Sequence, residues 1–235
     1  MTAVLILCGS FNPPTNMHMQ LFDLAKDALS EKDIQVVAGI ISPTHDEYKK
    51  QKPTLITSKH RVTMVQLALA ANPWIKCSTW EVEQKGWTRM VKVLEYHGRI
   101  IKDSTCLESG KFCHPLFPEN ILSSTKPLTA HPRLMLLCGG DLLESFSIWS
   151  DKHIETIARD FGLVVITRVG SNPEQYVDQH PILRLYKDNI QIVPSDANRI
   201  SSTEVRKAVK LGESITDLVP ESVSQYIIEN NLYTQ

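Results

Sequence analysis

Val4-Leu5-Ile6-Leu7-Cys8-Gly9-Ser10-Phe11-Asn12-Pro13-Pro14-Thr15-Asn16-Met17-His18 is the stretch that decides the fold of this 235-residue chain. Its first five residues are apolar without alternation, the pattern of a strand buried on both faces of a parallel sheet. Gly9 then permits a positive φ or a close backbone approach, and Pro13-Pro14 hold the residues before them out of the helical region. A helix therefore cannot begin before Thr15. From there Leu21, Phe22, Leu24, Ala25, Ala28 and Leu29 recur at helical spacing. Thr15 or Asn16 is the expected N-cap.

The first turn of such a helix aims unpaired N–H groups and the positive end of its dipole at the preceding loop, a place that binds anions. With Thr15 as cap, His18 falls in that turn, where its ring can donate a hydrogen bond to an anion. The dipole favours the neutral imidazole. A lone histidine on a helix is ordinarily a surface residue, but the strand-loop-helix context favours function here.

Working outward, residues 34–41 read as a second strand ending at Ser42-Pro43, followed by a polar loop with Tyr48-Lys49-Lys50-Gln51-Lys52. Ser58 offers the N-cap of a helix reaching about Asn72-Pro73. A short strand over 74–78 precedes a helix over about 86–102, which puts Trp87 near the helix start. From about 103 to 132 the periodicity lapses and four prolines mark a long loop, read as an insertion within one domain. Residues 133–141 then echo the opening strand, ending in Cys138-Gly139-Gly140-Asp141, and 162–167 end in Arg168-Val169-Gly170-Ser171. In open α/β sheets ligands bind beyond the carboxyl ends of the strands, where these glycines collect.

A final strand over 190–193 leads to Asn198-Arg199-Ile200-Ser201-Ser202-Thr203-Glu204-Val205-Arg206, which opens another helix. Ser201 and Glu204 spell a capping box. That leaves Thr203 and Arg206 unexplained, and with the free N–H groups they make a second anion site. A closing helix through Val223, Tyr226 and Ile227 to Tyr233 reads as packing.

Composition narrows the class. With 42% hydrophobic and 22% charged residues and a net charge of −1, the chain reads as one soluble domain spanning 1–235. No global field attracts nucleic acid or an anionic membrane, and no apolar stretch approaches a membrane span. Five cysteines without a Cys-x-x-Cys pair read as reduced thiols, giving a cytoplasmic or nuclear expectation. Cys106, Cys113 and His114 lack zinc-type spacing, so no protein-held metal is expected.

Gly9-Ser10-Phe11-Asn12-Pro13 with Thr15 and His18 resembles the ATP-binding signature of the nucleotidylyltransferase superfamily, most closely that of the nicotinamide mononucleotide adenylyltransferases. Met17 stands where that signature often carries glycine. Residues 200–206, Ile-Ser-Ser-Thr-x-x-Arg, match a second motif of the family nearly unaltered. The resemblance covers the chain from about Val4 to Tyr233 apart from the loop, and it implies a Rossmann-like doubly wound parallel sheet with helices on both faces.

It also implies transfer of AMP from ATP to nicotinamide or nicotinate mononucleotide, giving NAD and pyrophosphate. Gly9, Ser10, Phe11, His18, Gly139, Asp141, Asn198, Ser201, Ser202, Thr203 and Arg206 would meet ATP, with His18 and Arg206 carrying catalysis. Ser10, Phe11, Lys50, Trp87, Met90, Leu142, Trp149 and Arg168 would meet the mononucleotide, Lys50 at its phosphate and the two tryptophans as walls around its base. Mg²⁺ would bridge the substrate phosphates without a dedicated protein ligand. Members often form homo-oligomers. Met90 replaces a threonine common in animal relatives, so the choice between the two mononucleotides stays open. Another adenylyl- or cytidylyltransferase, or a nucleotide-binding interaction protein without turnover, would share the phosphate sites.

Overall fold

The computed structural model describes residues 1–117, 128–167, 172–195 and 200–234. Strand β1, Thr2–Gly9, leads through the proline loop into helix α1, Asn16–Ser30, capped by Thr15. Strand β2 (Gln35–Pro43), helix α2 (Ser58–Ala68), strand β3 (Ile75–Cys77) and helix α3 (Met90–Ser104) complete the first half. A short hairpin follows, β4 (Thr105–Cys106) with β5 (Lys111–Phe112). The second half is β6 (Arg133–Gly139), α4 (Gly140–Glu144), α5 (Asp151–Thr156), β7 (Leu163–Ile166), α6 (Pro173–Gln179), β8 (Ile190–Val193), α7 (Ser202–Leu211) and α8 (Glu221–Glu229).

Six strands form one parallel sheet in the order β3-β2-β1-β6-β7-β8. The chain thus builds outward from β1 in one direction and from β6 in the other, the arrangement of a doubly wound Rossmann-like sheet. The strands alternate between two apolar layers, as the period of two demands. Val4, Ile6, Leu134 and Leu136 pack with Val93, Leu94 and Ile101 of α3 on one face. Ala3, Leu5, Met135 and Leu137 pack with Phe22, Ala25 and Leu29 of α1 on the other. Gly39 in β2 is required by that contact, since a Cβ there would lie 2.9 Å from the Phe22 ring. Helices α2, α7 and α8 share a third cluster through Met64, Ala68, Val205, Ala208, Val223 and Ile227.

Several expectations need correction. Helix α3 begins at Met90, so Trp87 stands in the loop before it. Thr57, rather than Ser58, caps α2, because the Ser58 N–H and hydroxyl both donate to the Asp46 carboxylate. The irregular region after 103 is folded at its start, where Phe112 and Phe117 stack at 4.3 Å and enter the core. Its proline-rich middle, 118–127, lies outside the described residues.

Candidate active site

The loop after β1 is set by local geometry. The left-handed residue is Phe11, with φ 46°, and Gly9 needs no such angle. That conformation is uncommon for a bulky residue, and here it buries the Phe11 ring edge-on to His18, centroids 5.2 Å apart. The Thr15 N–H donates to His18 Nδ1 at 3.0 Å, and the Thr15 hydroxyl lies 2.7 Å from the same nitrogen. A nitrogen that accepts from a backbone N–H carries no proton, so the ring proton sits on Nε2.

Around this loop gather three cations. Arg61, wholly buried, donates to the carbonyls of Ser10 at 2.9 Å, Thr44 at 2.7 Å and Ile56 at 2.9 Å, and pairs with Asp46 at 2.8 Å. Lys52 donates to the Ser10 hydroxyl at 2.8 Å. Burial, then the charges of Arg206 and Arg61, lower its pKa. Burial likewise lowers that of Arg206. Cations crowded together in a partly desolvated space are relieved by an arriving anion. Lys50, expected at the mononucleotide phosphate, is 81% exposed and lies 4.0 Å from Glu47; the lysine on Ser10 is Lys52.

From the other end of the sequence, α7 docks on the same loop. Ser201 caps it, and the capping box is present: the Glu204 N–H donates to the Ser201 hydroxyl at 3.1 Å and the Ser201 N–H to the Glu204 carboxylate at 3.4 Å. The Ser202 hydroxyl donates to the Pro13 carbonyl at 2.7 Å. Arg206 donates to the Asn12 carbonyl at 2.8 Å and to the Thr203 hydroxyl at 3.1 Å. Two helix N-termini therefore meet over one loop, at the switch point beside β1.

Gly139 is the N-cap of α4, and nothing lies within 4 Å of where its Cβ would be. Asp141 is exposed in the first turn of that helix and is not its cap. Leu142 and Met90 are half-buried against the core. Trp149 tilts against Phe146 at 4.8 Å. Trp87, 42% exposed, stacks on Tyr48 with centroids 6.3 Å apart, and its backbone N–H donates to the Glu47 carboxylate at 3.2 Å. Below them Glu81 is buried and accepts from Ser42 at 3.1 Å and Thr44 at 3.0 Å. Burial outweighs those bonds and raises its pKa to about 7. Burial and then Glu81 hold the Cys8 thiol well above its ordinary value.

Arg168 and Asn198, both expected at the site, lie outside the described residues. Lys52, Arg61, Tyr48 and Tyr233, whose hydroxyl donates to the Asn12 side chain at 3.0 Å, escaped the sequence reading. Tyr48 and Lys52 had left a trace there only as members of a polar run, Tyr233 only as packing, and Arg61 none.

Anion sites at helix ends beside the switch point of a parallel sheet define a nucleotide-binding α/β protein, and residues 6–208 match the Cytidylyltransferase-like family model. The chain is 39% identical to Bos taurus nicotinamide/nicotinic acid mononucleotide adenylyltransferase 1, over 98% of this chain and 88% of that one. It is 37% identical to the Oryza sativa nicotinamide/nicotinic acid mononucleotide adenylyltransferase, over 99% and 86%. The solved Plasmodium falciparum nicotinic acid mononucleotide adenylyltransferase, complexed with NaAD, shares the fold at a TM-score of 0.63 and 17% identity, over 99% of this chain and 98% of that one. The chain belongs to the mononucleotide adenylyltransferases of this family.

Proposed function

We propose that this chain is a nicotinamide-nucleotide adenylyltransferase, joining ATP to nicotinamide mononucleotide, with nicotinate mononucleotide as a second acceptor, to give NAD and pyrophosphate. The observation that carries this reading is the meeting of α1 and α7 over the Ser10 loop with Lys52 and Arg206 beside it. Four phosphates must be held in this reaction, three on ATP and one on the acceptor.

The acceptor phosphate needs no general base, because its second pKa of about 6 leaves it largely ionised at neutral pH. One of its oxygens bonds to the α-phosphorus of ATP as the bond to the bridging oxygen breaks, and the leaving electron pair departs on pyrophosphate. Positioning and charge neutralisation then supply the catalysis. His18, with its proton on Nε2, donates to the α-phosphate as charge shifts. Arg206 and the first turn of α7 at Ser201, Ser202 and Thr203 hold the β- and γ-phosphates, and Asn198 is retained as an ATP contact on the family resemblance alone. Lys52 with Ser10, rather than Lys50, holds the acceptor phosphate.

Gly9, Phe11 and Gly139 let ATP approach the backbone, and Asp141 accepts from its ribose hydroxyls. Trp87 and Trp149 wall the acceptor base, with Met90 and Leu142 around it, and Arg168 is retained as a mononucleotide contact on the family resemblance alone. Among the described residues no group of three or more His, Cys, Asp or Glu side chains is arranged to hold a metal. A Mg²⁺ ion carried by the ATP phosphates would supply positive charge that offsets theirs, with no protein ligand assigned to it.

We read residues 1–235 as one domain. Five free thiols accord with a cytoplasmic or nuclear place, and no helix among the described residues is long and apolar enough to cross a membrane. A homo-oligomer is expected from the family likeness, and light scattering on the purified chain tests it. The test of function is to incubate the protein with ATP, Mg²⁺ and each mononucleotide and quantify dinucleotide and pyrophosphate. Equal amounts of both support the reaction, and ATP binding without either would sink it.

A further inference from the structure

Beyond α8 the backbone turns left-handed twice, at Asn231 with φ 49° and at Tyr233 with φ 65°. That region is unfavourable for a tyrosine, and strain of this kind collects where a side chain must be delivered to one place. The place is Asn12. Its side chain is wholly enclosed, and its carboxamide oxygen receives the Tyr233 hydroxyl at 3.0 Å and the Ile56 N–H at 3.3 Å. Its amide nitrogen donates to the Thr54 carbonyl at 2.9 Å, and its backbone carbonyl takes Arg206 at 2.8 Å.

Asn12 is therefore the knot that ties the Lys52–Ile56 turn, the loop after β1 and Arg206 together. With the Tyr233 and Ile56 donors in place, both lone pairs of its carboxamide oxygen are used. Packing does not call for the hydroxyl, since Leu232 and the Tyr233 ring together supply the apolar contact with the cluster of α2, α7 and α8. Burial pushes the phenol pKa up, and nearby Arg206 and Arg61 only partly offset it, so Tyr233 stays a donor across the neutral range.

We infer that Tyr233 is a positioning residue of the phosphate site, holding Arg206 and the Lys52 turn in register through its hydrogen bond to Asn12. It touches no reacting atom in this scheme. The inference rests on the ATP-binding reading above, and it adds a residue from beyond the last helix to the apparatus that orients the outer phosphates.

The test is Tyr233→Phe, which keeps the ring and removes one oxygen. ATP and adenosine affinities are measured by calorimetry, beside NAD formation and thermal melting. The expected result is ATP bound about tenfold more weakly, the order of one hydrogen bond's effect through a charged group, with adenosine affinity unchanged and the melting midpoint within a few degrees of wild type. Leu232→Ala is the companion: it loosens the same segment but keeps the hydroxyl, so the melting midpoint falls while the ratio of ATP to adenosine affinity holds. The inference is overturned if Tyr233→Phe binds ATP as the parent does, if it weakens both ligands equally, or if it fails to fold. It is equally overturned if Leu232→Ala loses ATP selectively. A parent protein that binds ATP but makes no NAD would sink the assigned reaction instead, and the affinity ratio would still decide the role of Tyr233.

Discussion

The N-termini of α1 and α7 face the same loop, yet α1 meets its cap with His18 and α7 with Glu204. Both side chains sit at the third helical position and accept from the cap residue's N–H. A carboxylate there suits a helix end, whose dipole is positive, but it would repel a phosphate placed at that end. The imidazole accepts the same N–H through Nδ1, adds no negative charge and keeps its other nitrogen as a donor. In α7 the carboxylate is kept, and Arg206 one turn along brings the positive charge that outweighs it. The two helix ends thus differ in local charge at the same position of the cap, and in the proposed scheme Arg206 makes up the difference at α7.

The sharpest way to break this comparison is His18→Ala. Removing a donor aimed at developing charge is expected to cut turnover about 10² to 10³-fold with the fold intact, as circular dichroism would verify. His18→Glu sharpens it further: the ordinary capping box is restored, so the melting temperature holds or rises, while turnover stays as low as in His18→Ala. Activity in His18→Glu near the parent level would show that the cap, and not the donor, is what matters.

Arg206→Ala should come next in size. Loss of charge-assisted phosphate bonds, worth about 1.5–3 kcal/mol, raises the KM for ATP about 10- to 100-fold, and the acceptor KM moves less. Steady-state kinetics with each substrate varied in turn separates the two. Trp87→Ala reverses that pattern on the acceptor side, raising the mononucleotide KM up to about tenfold while the ATP KM stays put. An unchanged acceptor KM would remove base stacking from the scheme. Glu204→Ala is the smallest: about 1 kcal/mol of stability in denaturant unfolding and no loss of turnover, because removing the carboxylate takes away a capping bond and a charge that opposes phosphate.

What could be read beforehand was whatever a short window of sequence encodes. The unbroken apolar run of β1, the proline block and the helical stripe of α1 announce themselves within fifteen residues, and the Ser201–Glu204 box within four. The strand-and-helix alternation carried the sheet as well. The start of α3 was misplaced because no proline separates Gly86 from Met90, whereas Glu47, from the distant one-turn helix Asp46–Lys50, accepts the Trp87 backbone N–H before the helix begins. Lys50 came from the family resemblance alone, and the contact of Lys52 with Ser10 spans 42 residues, a separation about which local periodicity is silent. The knot at Asn12 was invisible for a simpler reason: its partners stand 42, 44, 194 and 221 residues away.

Those separations matter while the chain is being made. A ribosome that has released β1, α1 and β2 has exposed the His18 end of the site but not Arg206, which is 194 positions further on than its partner Asn12. The nascent chain holds half a phosphate cradle, and contacts closed over such spans form late. If Arg206 and Tyr233 serve ATP as proposed, the nucleotide gains its full grip only when α7 and Tyr233 arrive, and it then stabilises the finished protein over any partial one. Substrate abundance in the cell would then favour survival of complete molecules during quality control.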